Sequence, residues 1–353
     1  RDPQRLCQTI IEHRVTTLHF VPSMLQAFMA STGVEQCRSV RRVVCSGEAL
    51  SAPLAQQCLE RLPQAGLYNL YGPTEAAIDG THWTCAGKQG VSVPIGQPID
   101  NLRTHILEPD LCPAARGVNG ELYLAGVGLA RGYHGRAALT AERFVPNPFD
   151  AQGGRLYRTG DLARYREGGV IDYIGRIDHQ VKIRGLRIEL GEIEARLMEH
   201  EQVREAVVLA QDGPSGKQLV AYLVPVDPQR VADDGETGRQ WREPLRQFLA
   251  QGLPDYMVPA HLLLLASMPV TANGKLARNL LPAADFSAAR AAHVAPRTPL
   301  EQQLVDIWQT VLDLPQVGIQ DNFFALGGDS IIATQVVSHA RQLGLDIAPR
   351  DLF

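Results

Sequence analysis

The stretch GRIDHQVKIRGLRIELGEIE, residues 175–194, separates two regions of different sequence pattern, and the interpretation of the fold depends on it. Its charged side chains cluster around a glycine, just before a helical pattern: Arg176, Asp178, Lys182, Arg184 and Arg187. One interpretation is an ordinary solvated basic loop. The alternative is a hinge whose cations face the phosphate and ribose groups of a ligand. The stretch by itself leaves both open.

Before this stretch, short β-rich segments alternate with helical ones. Residues 15–21 (VTTLHFV) predict a buried strand and residues 40–46 (VRRVVCS) another strand, each followed by a helix, at 22–31 and 52–62. This alternation predicts an α/β fold with a largely parallel sheet and crossover helices. From about residue 91 the strands shorten and turns become frequent, which indicates a small β-rich subdomain.

After the stretch, the pattern predicts a second, α+β unit and then a linker. The elements of this unit are a helix at 189–200, strands at 203–210 and 218–225, a polar loop at 227–239, a helix at 241–251 and a strand at 261–267. Two further helices, at 300–314 and 330–345, surround a loop, and the chain stops before a helical bundle could close. The predicted domains are therefore residues 1–177, residues 178–281, an Ala- and Pro-rich linker at 282–297, and an incomplete α-helical domain at 298–353.

Composition excludes several classes of protein. The 353 residues, 45% hydrophobic and 20% charged, fit two or three ordinary globular domains. A net charge of -4 argues against a nucleic-acid surface, and no apolar run is long enough to span a membrane. Six scattered cysteines without a C-x-x-C pair indicate the cytoplasm. The first residues lack an initiator Met and a signal segment, as expected for the middle of a longer polypeptide.

Three further motifs carry side chains suited to nucleotide chemistry. In NLYGPTEAAID (69–79), Tyr71 could stack on a flat base, Thr74 could bind a phosphate and Glu75 could hold Mg²⁺, although a structured surface turn has the same pattern. In YRTGDLARY (157–165), Asp161 could accept hydrogen bonds from ribose hydroxyls or be an ordinary turn residue. Lys275, on an Asn-Gly turn, is either solvent-exposed or a mobile cation. The glycine-rich segment 120–135 lacks the dinucleotide pattern and predicts a β-hairpin with close backbone approach.

Ser330, in DNFFALGGDSII (321–332), has three candidate roles. A hydrolase nucleophile would need a G-x-S-x-G elbow, which is absent. A helix N-cap is physically sound, since the hydroxyl could accept from an unpaired N–H of the following helix. Attachment of a prosthetic group accounts for more of the pattern, because the two preceding glycines keep the hydroxyl accessible.

The order of these motifs resembles one family. The run NLYGPTE, GELYLAGVGLARGY, YRTGDLAR, GRIDHQVKIRGLRIELGEIE, LPDYMVP (253–259) and NGK (273–275) is similar to the adenylation domains of nonribosomal peptide synthetases, in the adenylate-forming superfamily. The segment DNFFALGGDS resembles the peptidyl carrier domain that follows them. The resemblance implies that an amino acid reacts with ATP to give an aminoacyl-adenylate, and that the acyl group passes to a 4'-phosphopantetheine thiol.

The resemblance also implies a role for each matching residue. Asn69 and Tyr71 would contact adenine, Thr74 the phosphates and Glu75 the Mg²⁺. Asp161 would bind ribose with Arg176 nearby, Lys275 would bridge the substrate carboxylate and the α-phosphate, and Ser330 would carry phosphopantetheine. Asp178 would be the hinge about which the small subdomain rotates, so that the VKIRG loop replaces the lysine loop between the two half-reactions.

By the family pattern, the pocket for the amino acid is lined by six residues, namely His19, Val44, Ser46, Leu70, Ile78 and Asp79. A histidine, a serine and an aspartate around a small cavity suit a side-chain hydroxyl, and the set resembles that of serine-activating domains. A register error of one residue would change this assignment.

The resemblance implies partners and some departures. A phosphopantetheinyl transferase would modify Ser330, and residues 136–149 resemble the region that binds small MbtH-like proteins. A condensation domain would be adjacent, and the Asp before Ser330 resembles carriers that precede an epimerisation domain. The phosphate loop and the Asp that anchors the substrate amine would precede Arg1, so we expect the isolated chain to be inactive. Ala277 replaces the usual Asp. The alternatives are an acyl- or aryl-CoA ligase of the same superfamily and a degenerate carrier or binding module.

Overall fold

A computed structural model describes residues 3–87, 90, 92–213, 216–227, 236–271, 275–284, 294–312, 314–321, 323, 326, 328, 330–345 and 347–352. The described chain divides into two compact units, one of residues 3–187 and one of residues 188–353. Residues 178–187 group with the first unit, and the domain boundary after residue 177 stays a prediction. Several predicted features lie outside the described residues: Asn273 and Gly274, the Asp at 329, and parts of the predicted loop and linker (228–235 and 285–293).

The first unit begins with a five-stranded sheet flanked by helices. In chain order its elements are α1 (Pro3–His13), β1 (Thr17–Phe20), α2 (Pro22–Met29), β2 (Arg42–Cys45), α3 (Ala52–Arg61), β3 (Gly66–Tyr71), β4 (Thr81–Cys85) and β5 (Gln97–Pro98). The spatial order is β1-β2-β3-β4-β5, with β1, β2 and β3 parallel and the last two antiparallel. The predicted parallel sheet with crossover helices is confirmed for residues 17–71.

Alternate residues of β1, β2 and β3 point to opposite faces of this sheet. One face is buried in a core with the helices, where Phe20, Val43 and Leu67 are at most 6% exposed. Each such side chain contributes roughly 1.5–3 kcal/mol by leaving water. The other face bears His19, which is exposed, and Val44, which is half-buried. The buried strand predicted at 15–21 is present as β1, and it buries one of its two faces among the described residues.

The rest of the first unit is an antiparallel sheet. Its elements are β6 (Leu102–Leu107), β7 (Gly120–Gly126), α4 (Ala137–Arg143), β8 (Phe144–Pro146), β9 (Arg155–Tyr165) and β10 (Ile171–Arg176), in the spatial order β10-β9-β7-β6 with β8 also on β9. The β-rich character is confirmed, but β9 has 11 residues and is not short, because β7, β8 and β10 all pair along it. Segment 120–135 is not a hairpin, since β7 pairs with β6 and β9. Close approach is real at Gly120, where a Cβ would lie 2.7 Å from the Leu107 carbonyl oxygen.

The charged stretch itself forms a hairpin rather than a loop. Strands β11 (Val181–Ile183) and β12 (Leu186–Ile188) pair across a two-residue turn, and Arg184 and Gly185 both have positive φ, at 55° and 76°. Positive φ at both central residues is the pattern of a type I′ turn, whose twist matches that of paired strands. Glycine at the second position removes the steric cost there.

The second unit contains the predicted α+β elements and a helical segment. These are α5 (Leu190–Met198), β13 (Val203–Gly213), β14 (Gly216–Pro225), α6 (Glu236–Gly252), β15 (His261–Leu264), α7 (Pro299–Leu312) and α8 (Ser330–Gln342). Strand β14 pairs antiparallel with β13 and parallel with β15. The predicted loop at 227–239 was wrong for its last four residues, which begin α6. No described helix is sufficiently long and apolar to cross a membrane.

Helices α7 and α8 share a small apolar core with the residues between them. Val305, Leu312, Phe323 and Val336 are at most 7% exposed within it. A reciprocal capping box starts α7. The Glu301 amide donates to the Thr298 hydroxyl at 3.1 Å, and the Thr298 amide donates to the Glu301 carboxylate at 3.0 Å.

Candidate active site

Four of the predicted pocket residues lie on the open face of the first sheet. His19 pairs with Val44 across β1 and β2, and Leu70 lies on β3, so the strand register sets these side chains next to one another. Ser46 directly follows β2. Its hydroxyl Oγ lies 2.7 Å from His19 Nε2, in hydrogen-bonding contact. The carboxyl ends of parallel strands are where ligands of α/β proteins bind, and this polar pair lies there.

The other two pocket residues lie in a strained turn between β3 and β4. Ile78 has φ of 78° and is 63% exposed, although a β-branched residue rarely adopts positive φ. Asp79 is half-buried, and within the described residues its Oδ1 has no hydrogen-bond partner. Burial raises the pKa of Asp79, while the neighbouring His19 opposes this shift. Backbone strain persists where surrounding contacts fix it, and it concentrates at functional sites.

Gly72 allows this turn to close. A Cβ at residue 72 would lie 2.4 Å from the Ile78 carbonyl oxygen and 2.6 Å from the Gly80 amide nitrogen. The Gly80 amide instead donates to the Tyr71 carbonyl oxygen at 2.7 Å. The tight loop therefore presents Thr74, which is exposed, and Glu75, which is half-buried, from one compact segment.

Asp161 is the centre of a buried polar network. It is 3% exposed and accepts hydrogen bonds from the Tyr71 hydroxyl at 2.5 Å and from Arg176 Nη1 at 3.0 Å. Arg176 also donates to both carboxylate oxygens of Asp178, at 2.8 Å and 2.5 Å. Burial opposes the charge on Asp178, but the Arg176 hydrogen bonds and charge outweigh it and lower the pKa of Asp178. The structure thus links the predicted ribose ligand to the predicted hinge through one guanidinium.

The two predicted adenine contacts are both buried. The ring of Tyr71 is 6% exposed, and Lys182 Nζ lies 5.6 Å from its centroid. Burial, followed by the nearby Asp161, raises the pKa of Tyr71 well above its ordinary value, so its hydroxyl keeps its proton and donates. Asn69 is 2% exposed, and its amide nitrogen donates to the Pro94 carbonyl oxygen at 2.8 Å. Its Oδ1 has no partner among the described residues, which leaves a buried acceptor for an amino donor.

Glu75 is held by two side chains that sequence analysis did not assign to it. The Tyr133 hydroxyl donates to its Oε1 at 2.7 Å, and Arg187 Nη1 lies 3.1 Å from each of its oxygens. Burial disfavours the charged form of Glu75, but the Tyr133 hydrogen bond and the Arg187 charge outweigh it and lower the pKa of this carboxyl. Glu75 is therefore an ionised carboxylate that is paired with the Arg187 guanidinium.

The turn of the β11–β12 hairpin contacts the carboxyl end of the parallel sheet. The Gly185 amide donates to Glu48 Oε1 at 2.8 Å, and Glu48 Oε2 accepts from the Ser23 amide at the start of α2 at 3.1 Å. A Cβ on Gly185 would lie 2.5 Å from Val21, so the backbone approaches the sheet closely. Burial lowers the pKa of Lys182, which lies on the same hairpin.

Comparison with known proteins identifies this arrangement. Three family models match the chain: the AMP-binding enzyme over residues 1–134, the AMP-binding enzyme C-terminal domain over 192–275 and the phosphopantetheine attachment site over 302–353. Phosphinothricin tripeptide synthetase PhsB of Streptomyces viridochromogenes is 48% identical over 98% of this chain. Tyrocidine synthase 3 of Brevibacillus parabrevis is 46% identical over 357 residues, a match that covers all of this chain. The chain belongs to the adenylate-forming, AMP-binding enzymes.

Within that family the chain corresponds to a nonribosomal peptide synthetase adenylation domain followed by a carrier domain, as its motifs predicted. It spans 29% and 5% of the two relatives named above. A solved nonribosomal peptide synthetase protein containing adenylation and PCP domains, bound to a vinylsulfonamide inhibitor, is similar to 98% of the chain with a TM-score of 0.77 and 28% identity, and the match covers 55% of that protein. Membership in the family implies ATP, Mg²⁺ and 4'-phosphopantetheine.

Two of the predicted site residues, Lys275 and Ser330, belong to the second unit of the chain. Lys275 is exposed, and its backbone amide donates to the Thr271 hydroxyl at 3.2 Å. Ser330 is the first residue of α8, and the helix predicted at 330–345 begins at the same position. The structure brings Tyr71, Glu75, Asp161, Arg176 and Asp178 together in the first unit.

Two contributors to the site, Glu48 and Tyr133, were not predicted from the sequence, and neither was the pairing of Arg187 with Glu75. The charge cluster at 175–194 was a signal for Arg187. Tyr133 lies within a motif that carried the resemblance, but nothing in its local pattern indicated a partner 58 residues away. Glu48 lies in the loop that follows β2, where functional residues of parallel sheets concentrate, and that position was the available signal.

Proposed function

We propose that this adenylate-forming chain activates serine with ATP as seryl-AMP and loads the seryl group as a thioester on its own carrier domain. The observation that carries the choice of serine is the polar set in the pocket. His19 and Ser46 are hydrogen bonded at 2.7 Å, and Asp79 has a carboxylate oxygen without a partner among the described residues. Val44 and Leu70, on the same sheet face, supply the apolar surface around it.

Serine suits this set because its hydroxyl can both donate and accept. The hydroxyl would donate to Asp79 and accept from the Ser46 hydroxyl, whose own proton is available when His19 Nε2–H donates to Ser46 Oγ. An apolar side chain would leave these polar groups unpaired. Sites built to hydrogen-bond a substrate hydroxyl reject analogues without it by as much as ~10⁴–10⁵-fold.

The nucleotide would bind around Asp161 and Asn69. Asp161 accepts one hydrogen bond on each oxygen, so its carboxylate retains acceptor capacity for ribose hydroxyls. The unpartnered Oδ1 of Asn69 would accept from the adenine amino group, beside the ring of Tyr71. Thr74, exposed on the turn after β3, would donate to a phosphate oxygen.

The residues present fit a Mg²⁺ ion that is bound together with nucleotide. Mg²⁺ usually takes one or two protein carboxylates plus phosphate oxygens and water, and Glu75 offers one ionised carboxylate. No group of three or more His, Cys, Asp or Glu side chains suited to a metal was found in the described part of the chain. When bound, the ion would neutralise phosphate charge. Lys275 would add a cation at the substrate carboxylate and α-phosphate.

Two cation-bearing segments would then serve the two half-reactions in turn. The lysine loop around Lys275 would serve adenylation, and the β11–β12 hairpin would serve thioester formation after rotation about Asp178. Support comes from the hairpin, whose turn is bonded to Glu48 and whose Arg187 is bonded to Glu75. Arg176 would hold the hinge carboxylate in place during nucleotide binding, because it donates to both Asp178 and Asp161.

The carrier and neighbouring proteins complete the proposal. Ser330 would bear the phosphopantetheine, which supplies the thiol that receives the seryl group, after modification by a phosphopantetheinyl transferase. Helix α4 has no buried residue and exposes Leu139, as expected of a surface that binds an MbtH-like partner. Adjacent condensation and epimerisation domains would extend and invert the loaded residue. Purification with and without an MbtH-like protein tests that partner.

The test of serine activation is ATP–pyrophosphate exchange with the full-length protein over a panel of amino acids. We expect serine to give the highest kcat/KM and Ser46→Ala to reduce that preference. Ser31→Ala is the matched control, because the Ser31 hydroxyl donates to the Ala27 carbonyl oxygen at the end of α2 and is not part of the pocket. A clear preference for a bulky apolar amino acid would contradict the assignment.

A further inference from the structure

The carboxylate of Glu75 is fully engaged in this structure. Arg187 Nη1 lies 3.1 Å from both Oε1 and Oε2, and Oε1 also accepts from the Tyr133 hydroxyl at 2.7 Å. The Glu75 side chain is 12% exposed and that of Arg187 is 34% exposed. The guanidinium therefore bridges both oxygens of a carboxylate that is largely removed from water.

We infer that Arg187 and a divalent metal ion compete for Glu75, so that the docked hairpin and the bound metal exclude one another. This inference rests on the proposed function, which assigns Glu75 to Mg²⁺. Mg²⁺ approaches its ligand oxygens to about 2.0–2.1 Å and demands near-octahedral geometry. A guanidinium nitrogen centred on both oxygens occupies that approach, and its positive charge repels the metal.

The exchange keeps Glu75 compensated at every stage. A half-buried carboxylate without a cation is costly, whereas replacing the metal with Arg187 exchanges one cation for another. The hairpin is suited to moving as a unit, because its strands pair with each other across a type I′ turn. In its docked position the Gly185 amide donates to Glu48 Oε1 at 2.8 Å.

Thermodynamic linkage makes the competition reciprocal. If docked Arg187 weakens metal binding by some factor, bound metal must weaken hairpin docking by the same factor. Arg187 is then a positioning residue, because it can hold the hairpin on Glu75 only when the metal is absent. Departure of the metal frees Glu75 for the hairpin, and a rise in metal concentration releases the hairpin.

The first test uses Mn²⁺ alone as the probe, with binding to the full-length protein measured by electron paramagnetic resonance. Arg187→Gln should bind Mn²⁺ roughly tenfold more tightly than the wild type, since the competing charge-assisted hydrogen bonds are removed. Arg184→Gln is the matched control, because it removes the same charge from the same hairpin and leaves the Arg187–Glu75 pair intact. Equal tightening in both variants, or none in Arg187→Gln, overturns the inference.

The second test follows the hairpin by limited trypsin digestion, quantified at the Lys182 peptide bond, which all variants retain. Mg²⁺ should speed this cleavage in the wild type. In Arg187→Gln the cleavage should already be fast and should change less than twofold with Mg²⁺. Cleavage that is independent of Mg²⁺ in the wild type contradicts the competition.

A third variant separates this inference from the proposed function. Glu75→Gln should weaken Mn²⁺ binding by at least tenfold, since the carboxylate charge is lost. If Glu75→Gln leaves Mn²⁺ binding unchanged, the assignment of Glu75 to the metal is wrong, and the competition fails with it. If Glu75→Gln weakens binding while Arg187→Gln does not tighten it, only the competition is wrong.

Discussion

Replacing Arg176 with glutamine is expected to destabilise the first unit by about 3 kcal/mol at pH 7. The Arg176 side chain is 10% exposed and that of Asp161 is 4% exposed, so their contact at 3.0 Å is a buried ion pair. Removing one partner of such a pair costs ~3–5 kcal/mol, because the other charge remains buried. The lower end applies here, since the Tyr71 hydroxyl still donates to Asp161 and since Asp178 is one-third exposed and can be hydrated.

Hydrogen exchange followed by mass spectrometry measures this change locally. Amides of β3, β9 and β10 should exchange roughly a hundredfold faster in the Arg176→Gln variant, because each 1.4 kcal/mol is a factor of ten. The matched control is Arg164→Gln on β9. Arg164 Nε lies 3.5 Å from the buried Asp172, but its side chain is 46% exposed and Arg166 still pairs with Asp172. This control should cost less than about 1 kcal/mol.

The pH dependence of the same variant has a definite sign. The Arg176 hydrogen bonds lower the pKa of folded Asp178 despite its burial. A carboxyl with a lowered folded pKa adds stability above its unfolded pKa of about 3.9, and loses it as the pH falls through the folded value. The difference between wild type and Arg176→Gln should therefore shrink below about pH 4. Equal exchange rates for Arg176→Gln and Arg164→Gln at pH 7 would refute the reasoning about the buried pair.

Three further predictions concern other parts of the chain. Gly72→Ala should lower the free energy of unfolding by about 2–4 kcal/mol, because its Cβ would lie 2.4 Å from the Ile78 carbonyl oxygen. The control is Gly175→Ala, which has open space around its Cβ and should not show this loss of stability in the same thermal unfolding assay. Burial lowers the pKa of His261 to about 4. The free energy of unfolding should therefore fall by about 2 kcal/mol from pH 7 to pH 5, because the unfolded state takes up a proton over that range. Urea unfolding of His261→Gln at the two pH values should no longer show this fall. Ser330→Ala should show no added mass after incubation with a phosphopantetheinyl transferase and CoA, whereas an unchanged gain would place the attachment elsewhere.

Local sequence signals predicted most of the elements of this fold. Strands β1 and β2 and helices α2 and α3 were predicted from apolar periodicity, with Pro in the first turn of α2. A further local signal is Ser51, whose hydroxyl accepts from the Leu54 amide at the start of α3. These signals act within a few residues, so a single sequence contains them. These local signals could not predict which face of β1 is exposed, because exposure depends on the elements that pack on each side of the strand.

Contacts between distant residues could not be predicted in the same way. Tyr71 and Asp161 are 90 residues apart, and Glu75 and Arg187 are 112 residues apart. Family resemblance predicted a role for Tyr71, Asp161 and Glu75. It did not predict these two contacts, because they depend on how the two sheets meet and on the turn of the β11–β12 hairpin. Ile78 is a further case. Its positive φ contradicts the local preference of a β-branched residue, and only the tertiary contacts of the turn at Gly72 enforce it.

The short segment from Arg176 to Arg187 donates hydrogen bonds to four carboxylates of the candidate site, all of them outside the predicted amino-acid pocket. Arg176 donates to Asp161 and Asp178, the Gly185 amide donates to Glu48, and Arg187 donates to Glu75. The first two bonds come from β10, which is fixed in the antiparallel sheet, and the last two come from the hairpin beyond Asp178. The proposed rotation about Asp178 would therefore keep the cation on Asp161, the predicted ribose ligand, and remove the cation from Glu75, the proposed metal ligand. Because Glu75 is half-buried, we expect its loss of Arg187 to be favourable only when another cation takes the place of Arg187. Under the proposed function that cation is the metal bound with nucleotide, and its arrival would then be linked to movement of the hairpin.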